Sequence, residues 1–171
     1  YEIKELSARK NLIDPATVSE QAEMERNLNI HHRDGTYSGF ADLMLVGGRH
    51  WSDVLREGDQ LKTGFGLTLP TGKTEENPFK LGDQGLEHLH IQFGTGTFDP
   101  LLELNYFVPL SDELSLTSYA MSRFPFYKNS KTYRGPIGVT TGAQARYRAS
   151  ERITVHVGLI FHYQSFAHWD G

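Results

Sequence analysis

The stretch Ile153-Thr-Val-His-Val-Gly-Leu-Ile-Phe-His-Tyr-Gln164 sorts its side chains into two sets. One set is Ile153, Val155, Val157, Leu159, Phe161 and Tyr163; the other is Thr154, His156, Gly158, Ile160, His162 and Gln164. Successive side chains of an extended chain point to opposite faces, so this period of two predicts a strand with one apolar and one largely polar face.

The same alternation recurs upstream. In residues 60–69 the set Leu61, Thr63, Phe65, Leu67, Leu69 opposes Gln60, Lys62, Gly64, Gly66, Thr68. In 97–108 the set Phe98, Pro100, Leu102, Leu104, Tyr106, Val108 opposes Thr97, Asp99, Leu101, Glu103, Asn105. In 137–148 the set Ile137, Val139, Thr141, Ala143, Ala145, Tyr147 opposes Gly138, Thr140, Gly142, Gln144, Arg146, Arg148. Two less regular strands are expected at 39–51, where Ala41, Leu43 and Leu45 oppose Asp42, and at 114–124. These segments are long. Soluble strands cluster near 5–6 residues, whereas a tilted strand needs roughly 9–11 to cross a bilayer.

The connections alternate in length. Segments 52–59, 109–113 and 149–152 are short, while 70–96, 125–136 and the tail after Gln164 are long and polar. Aromatic residues fall near strand ends (Trp51, Tyr106, Phe107, Phe124, Phe126, Tyr147, Phe161, Tyr163), as in interfacial girdles. Together these features predict an all-β, antiparallel up-and-down transmembrane β-barrel, with tight periplasmic turns and long external loops. A soluble barrel or sandwich explains the alternation equally well, but not the strand length or the loop asymmetry. Six strands fall short of the eight of the smallest such barrels, and bare edges are not satisfied in lipid. Either strands lie outside this sequence, or the N-terminal stretch (residues 1–6) supplies some, or chains associate; a partial chain is the favoured expectation.

Composition agrees. Net charge is −4 with a pI of about 6.1, which argues against a nucleic-acid surface. There is no cysteine, so disulfides and thiolate metal sites are excluded. The sequence opens on Tyr1 without a charged-then-apolar leader, which reads as a processed chain or a fragment. No stretch approaches the ~20 apolar residues of a membrane helix. Residues 1–36 read as a polar segment on the external side with one short helix, capped by Asp14 and begun by Pro15; residues 37–171 carry the barrel strands.

Two segments carry a family resemblance. They are Gly64-Phe-Gly-Leu-Thr-Leu-Pro-Thr-Gly72 and Gln92-Phe-Gly-Thr-Gly-Thr-Phe-Asp-Pro100. Together they resemble the bacterial outer-membrane transporter family of the meta-pathway of phenol degradation. That family shows a G-x-x-L-P-T-G strand end and then a Q-P-G-T-G-S-W-D element. Phe93 stands for the proline, Thr97 for the serine and Phe98 for the tryptophan. Gly39-Phe-Ala-Asp42 resembles its G-L-G-D, with Ala41 departing from the second glycine, and Tyr133-Arg-Gly135 its Y-R-x-G loop. The resemblance spans residues 39–171. It implies an outer-membrane barrel of a Gram-negative bacterium, with further strands outside this window, that passes or binds small, often hydrophobic solutes. Physics gives these motifs structural work: Pro70 ends a strand, Gly72 lets the chain turn, and Gly94 and Gly96 mark a bulge or close backbone approach.

Motifs for chemistry are weak. Gly72-Lys73-Thr74 mimics the end of a phosphate-binding loop, but Leu67 stands where its first glycine belongs. His31 and His32, or His88 and His90, have metal-compatible spacing, yet exposed loop histidines are the commoner case. His156 and His162 are six residues apart, about 20 Å along a strand, and do not share an ion. No nucleophile elbow occurs. Neither an enzyme nor a cofactor nor a metal is expected.

The polar faces are the informative set. A charge facing lipid at mid-membrane costs ~2–4 kcal/mol, so these residues are expected to line a lumen. They are Asp42, Lys62, Asp99, Glu103, Asn105, Gln144, Arg146, Arg148, His156 and His162. The expected function is a porin-like channel or transporter-like barrel for small solutes, with lipid and solute as partners. The alternatives are a barrel that docks proteins through loops 70–96 and 1–36, and a soluble barrel holding an apolar ligand.

Overall fold

The computed structural model describes residues 2–6, 17–31 and 35–170 of the chain. Strand β1 (Glu2–Leu6) pairs antiparallel with β2 (Gly35–Gly39), and helix α1 (Val18–His31) lies between them in sequence. The cap of α1 is Thr17: its hydroxyl accepts from Glu20 N–H (3.3 Å), while the Glu20 carboxylate accepts from Thr17 N–H (2.8 Å). This reciprocal pairing holds otherwise orphaned donors at a helix start. The expected cap, Asp14 with Pro15, lies outside the described residues, as does His32.

Six strands form the main sheet: β3 (Leu43–Ser52), β4 (Gln60–Leu69), β5 (Pro100–Pro109), β6 (Leu114–Arg123), β7 (Gly138–Arg148) and β8 (Thr154–Gln164). Their order is sequential and every pairing is antiparallel, an up-and-down meander of ten- and eleven-residue strands. Among the described residues β3 and β8 each pair on one side only, so the sheet is open. The chain passes through short turns at one end, and at the other through the long connections 70–99 and 124–137, with the tail 165–170 following β8. Within the first of these sits one extra helix, α2 (Pro78–Asp83). It starts where the Asn77 side chain accepts from Phe79 and Lys80 N–H, with proline at the first position.

Strand ends differ from the periodicity at two places. The pattern extends the first long strand to Gly39, but β3 begins at Leu43, because Phe40 C=O and the Asp42 carboxylate are engaged by Lys73 and Gly72 of the long connection. Likewise Thr97 and Asp99 precede β5, held by side-chain hydrogen bonds to one another and to Thr68.

The register carries the alternation across all six strands. Leu45 faces Leu67, Phe65 faces Leu102, Leu104 faces Ala120, Leu116 faces Ala145, and Ala143 faces Leu159. Opposed residues share a face, so most strand leucines and valines collect on one side, with Val46 and Leu101 on the other. That side is bare: Val157 is 67% exposed, Leu159 82% and Phe161 62%. The buried apolar residues are few (Phe93, Leu101, Tyr133) and do not come from this face's leucine and valine sets. Its one charged strand residue is Arg49, next to a short turn, with the guanidinium 3.9 Å over the Trp51 ring. Phe107, expected in an aromatic girdle, falls instead on the polar face, opposite Gln60 and Thr117.

The turn between β3 and β4 shows how a short connection is held. Asp53 and Gly58 adopt left-handed backbone (φ 57° and 79°). The fully buried Asp59 carboxylate accepts from Val54 N–H (2.6 Å), Leu55 N–H (2.9 Å), Arg56 N–H (3.0 Å) and the Tyr106 hydroxyl. Desolvation pushes this carboxyl up, but the Tyr106 hydroxyl and the three N–H donors outweigh it and hold it below the usual aspartate range. A depressed carboxyl stabilises the fold above its unfolded pKa, and that contribution is lost as pH falls through the folded value. The resistance of the wild type to urea should therefore fall as pH drops below the aspartate range. Asp59→Asn should unfold more easily at neutral pH and lose most of that acid dependence; an unchanged acid profile would dismiss the turn as its source.

Candidate functional site

The face opposite the leucines collects eight of the expected wall residues. Neighbours across the strands run His50–Lys62–Asn105–Tyr119–Gly142 in one row, and Gly64–Glu103–Met121–Thr140–His162 in the next toward the long loops. Toward the short turns follow Gln60–Phe107–Thr117–Gln144, then Ser115–Arg146–His156, then Arg148 against Thr154. Lys62, Glu103, Asn105, Gln144, Arg146, Arg148, His156 and His162 thus share one surface. His50, Tyr119 and Arg123 lie on it too, although they were not singled out from the sequence. The signal was available for them: all three follow the same odd–even phase, once the less regular strands 43–52 and 114–123 are placed in register.

Local hydrogen bonds order this surface. Asn105 Nδ2 donates to the Glu103 carboxylate (2.7 Å), whose side chain lies over Gly64, so that a Cβ there would meet Glu103 Cβ at 3.1 Å. Gln144 Nε2 sits 2.6 Å from His156 Nδ1, and Thr140 Oγ1 2.8 Å from His162 Nδ1. None of Lys62, Arg123 or Arg146 forms an ion pair among the described residues; the three side-chain ion pairs seen there all involve the long connections and tail.

Asp42 and Asp99 are placed differently from the wall expected for them. Both sit at the long-loop end, in a knot of polar groups that closes the strand ends. Asp42 Oδ1 accepts from Gly72 N–H (2.9 Å), and Oδ2 from Thr95 N–H (2.6 Å) and the Thr95 hydroxyl (2.8 Å). Asp99 is 0% exposed and accepts from the hydroxyls of Thr97 (2.5 Å) and Thr95 (3.0 Å), while its own N–H donates to Thr68 Oγ1 (2.9 Å). The Asp99 carboxylate is consumed by neighbouring hydroxyls, so it lines no open surface. The knot joins three of the four resembling segments, since it is built from residues 42, 68, 72, 94, 95, 97 and 99. Gly72 and Gly94 are small here because their backbones nearly touch: a Cβ on Gly94 would lie 2.7 Å from Gly72 Cα and 2.5 Å from Asp42 Oδ1. Gly96 supplies left-handed backbone (φ 68°).

Above the knot, the long connections are tied together. Asn77 Nδ2 donates to Thr132 Oγ1 (2.6 Å) and Asp170 C=O (2.5 Å), and Lys131 pairs with Glu76 (2.9 Å). Lys128 pairs with Asp170, the Tyr133 ring packs on Trp169 (4.6 Å between centroids), and Arg134 bridges His168 through the backbone. Burial pushes the Tyr133 hydroxyl up, with Arg123 pulling it down and Asp99 pushing it up. In the phosphate-loop mimic Lys73 pairs with Glu75 (2.7 Å), and among the described residues the helix that follows is the six-residue α2. His88 and His90 pack ring to ring (5.1 Å), with His88 Nδ1 at 2.9 Å from Leu86 C=O. Among the described residues no three His, Asp or Glu side chains gather as metal ligands.

Comparison of the chain with protein-family models, with curated proteins and with solved structures finds no match.

Proposed function

We propose that the chain forms part of a β-barrel of the bacterial outer membrane, acting as a channel or transporter-like protein for small solutes without chemistry of its own. The carrying observation is the segregation of the sheet. One face is apolar and exposed over six long strands, with Arg49 its only charge, while the other holds Lys62, Glu103, Arg123, Arg146 and Arg148. Water penalises the first face at roughly 25 cal/mol per Å² of apolar surface, whereas hydrocarbon penalises the second. Lipid outside and water inside satisfy both. Barrel closure then needs strands beyond these six, because free edges are costly in lipid.

Expressed for export in a Gram-negative host together with the strands that close the sheet, the chain should reach the outer-membrane fraction, with gel migration that changes on heating, and the purified protein should give conductance steps in planar bilayers. Recovery in the soluble fraction would reject the membrane reading. A membrane-inserted but sealed barrel would favour a docking role instead, which the tied surface of loops 70–99 and 124–137 also supports.

A further inference from the structure

We propose that Arg49 and Trp51 form a binding site for the phosphate of a membrane phospholipid, in the leaflet that meets the short turns. This rests on the barrel reading and names a lipid partner for its outer wall.

Arg49 is the one charge among the strand residues of the apolar face. Its neighbours there are Thr63 directly across, Gly47 and Trp51 along β3, and Leu61 and Phe65 on the diagonals. None of these is acidic. The turn beyond β3 holds Asp53, Glu57 and Asp59, and none of the three pairs with Arg49: Asp53 accepts from Gly58 N–H (2.6 Å), and Asp59 is taken by its four donors. Among the described residues the exposed Arg49 guanidinium makes one contact, with the Trp51 ring.

A charge on the lipid face costs least near the interface. Arg49 stands three residues short of the end of β3 at Ser52, roughly 10 Å along the strand. The strand ends step along the sheet, so Leu104, in the same row, stands farther from its own turn, five residues short of Pro109. A long arginine side chain at that height brings its charge to the headgroups while its stem stays in hydrocarbon.

The pair is organised for a planar anion. Trp51 Nε1 donates to Thr63 Oγ1 (3.4 Å), which ties the indole across two strands, and the guanidinium lies 3.9 Å over that ring. Stacking restrains the guanidinium plane and leaves its N–H donors to an acceptor from outside the chain. Phosphate oxygens accept such a fork through two parallel hydrogen bonds. The exposed Leu45 and Phe65 on the same face offer acyl chains a surface, which favours a lipid phosphate over a free anion.

The test is native mass spectrometry of the exported barrel, closed by its remaining strands and held in detergent. It is titrated with phosphatidylglycerol and with diacylglycerol of the same chains, which lacks the phosphate. The wild type should bind phosphatidylglycerol several-fold more tightly. Arg49→Gln should bring the two lipids to equal affinity, and Arg49→Lys, which keeps the charge and loses the fork, should fall between. A wild type that binds both lipids equally, or a preference that survives Arg49→Gln, overturns the phosphate site while leaving the barrel standing. Displacement of phosphatidylglycerol by millimolar inorganic phosphate overturns the lipid as occupant. Failure of the wild type to give the heat-modifiable band overturns the barrel reading and the site together.

Discussion

Leu104→Arg is expected to abolish membrane insertion, while Asn105→Arg, one residue along the same strand, inserts nearly as the wild type does. Leu104 lies mid-strand in β5, 48% exposed and flanked across the sheet by Thr63 and Ala120. In lipid a guanidinium there costs ~2–4 kcal/mol, a large share of ordinary protein stability. Asn105 sits on the other face, between Lys62 and Tyr119, where an arginine meets water and the neighbouring carboxylate of Glu103. The readout is the fraction of each variant showing heat-modifiable migration after membrane extraction. Equal tolerance at the two positions would remove the assignment of faces, and with it the case for a bilayer.

The second large effect is expected from Asp42→Ala. The carboxylate is the hydrogen-bond acceptor for the backbone N–H groups of Gly72 and Thr95 and for the Thr95 hydroxyl, and so ties the start of β3 to both arms of the longest connection. A buried donor left without a partner costs about 1–3 kcal/mol, so stripping three donors of their acceptor, the buried Thr95 N–H among them, should destabilise by several kcal/mol. Asp42→Asn keeps one carbonyl oxygen and should cost roughly half as much. Urea unfolding in lipid vesicles would report the midpoints in the order wild type, Asn, Ala. Unchanged midpoints would mean that the knot contributes nothing to holding the long loops.

The six strands were legible because period-two alternation is a direct imprint of a surface with two different neighbours. Residues 60–69 coincide with β4, and 114–124, 137–148 and 153–164 differ from β6, β7 and β8 by one residue at an end. The errors cluster at the long-loop ends of β3 and β5. There the side chains of Asp42, Thr97 and Asp99 satisfy backbone and hydroxyl donors, and alternation says nothing about a tertiary hydrogen bond. The same cause separates Asp42 and Asp99 from the other wall residues, whose parity was right. Strand β2 was missed since Gly35-Thr-Tyr-Ser-Gly39 carries no apolar alternation. Helix α2 was missed although Asn77-Pro78 is a start signal, because only six residues follow it. Gly72, expected to turn the chain, instead lets two backbones touch, a contact between residues 22 apart that spacing alone does not reveal.

The two one-sided strands, β3 and β8, impose a grammar on whatever completes the sheet. A ribbon laid antiparallel along β8 must set its oily residues opposite Val155, Val157, Leu159, Phe161 and Tyr163. Sliding it by a single position would turn every one of its polar groups to the apolar side of the sheet. The rims therefore discriminate by phase as well as by length, admitting only segments whose odd and even positions match their own.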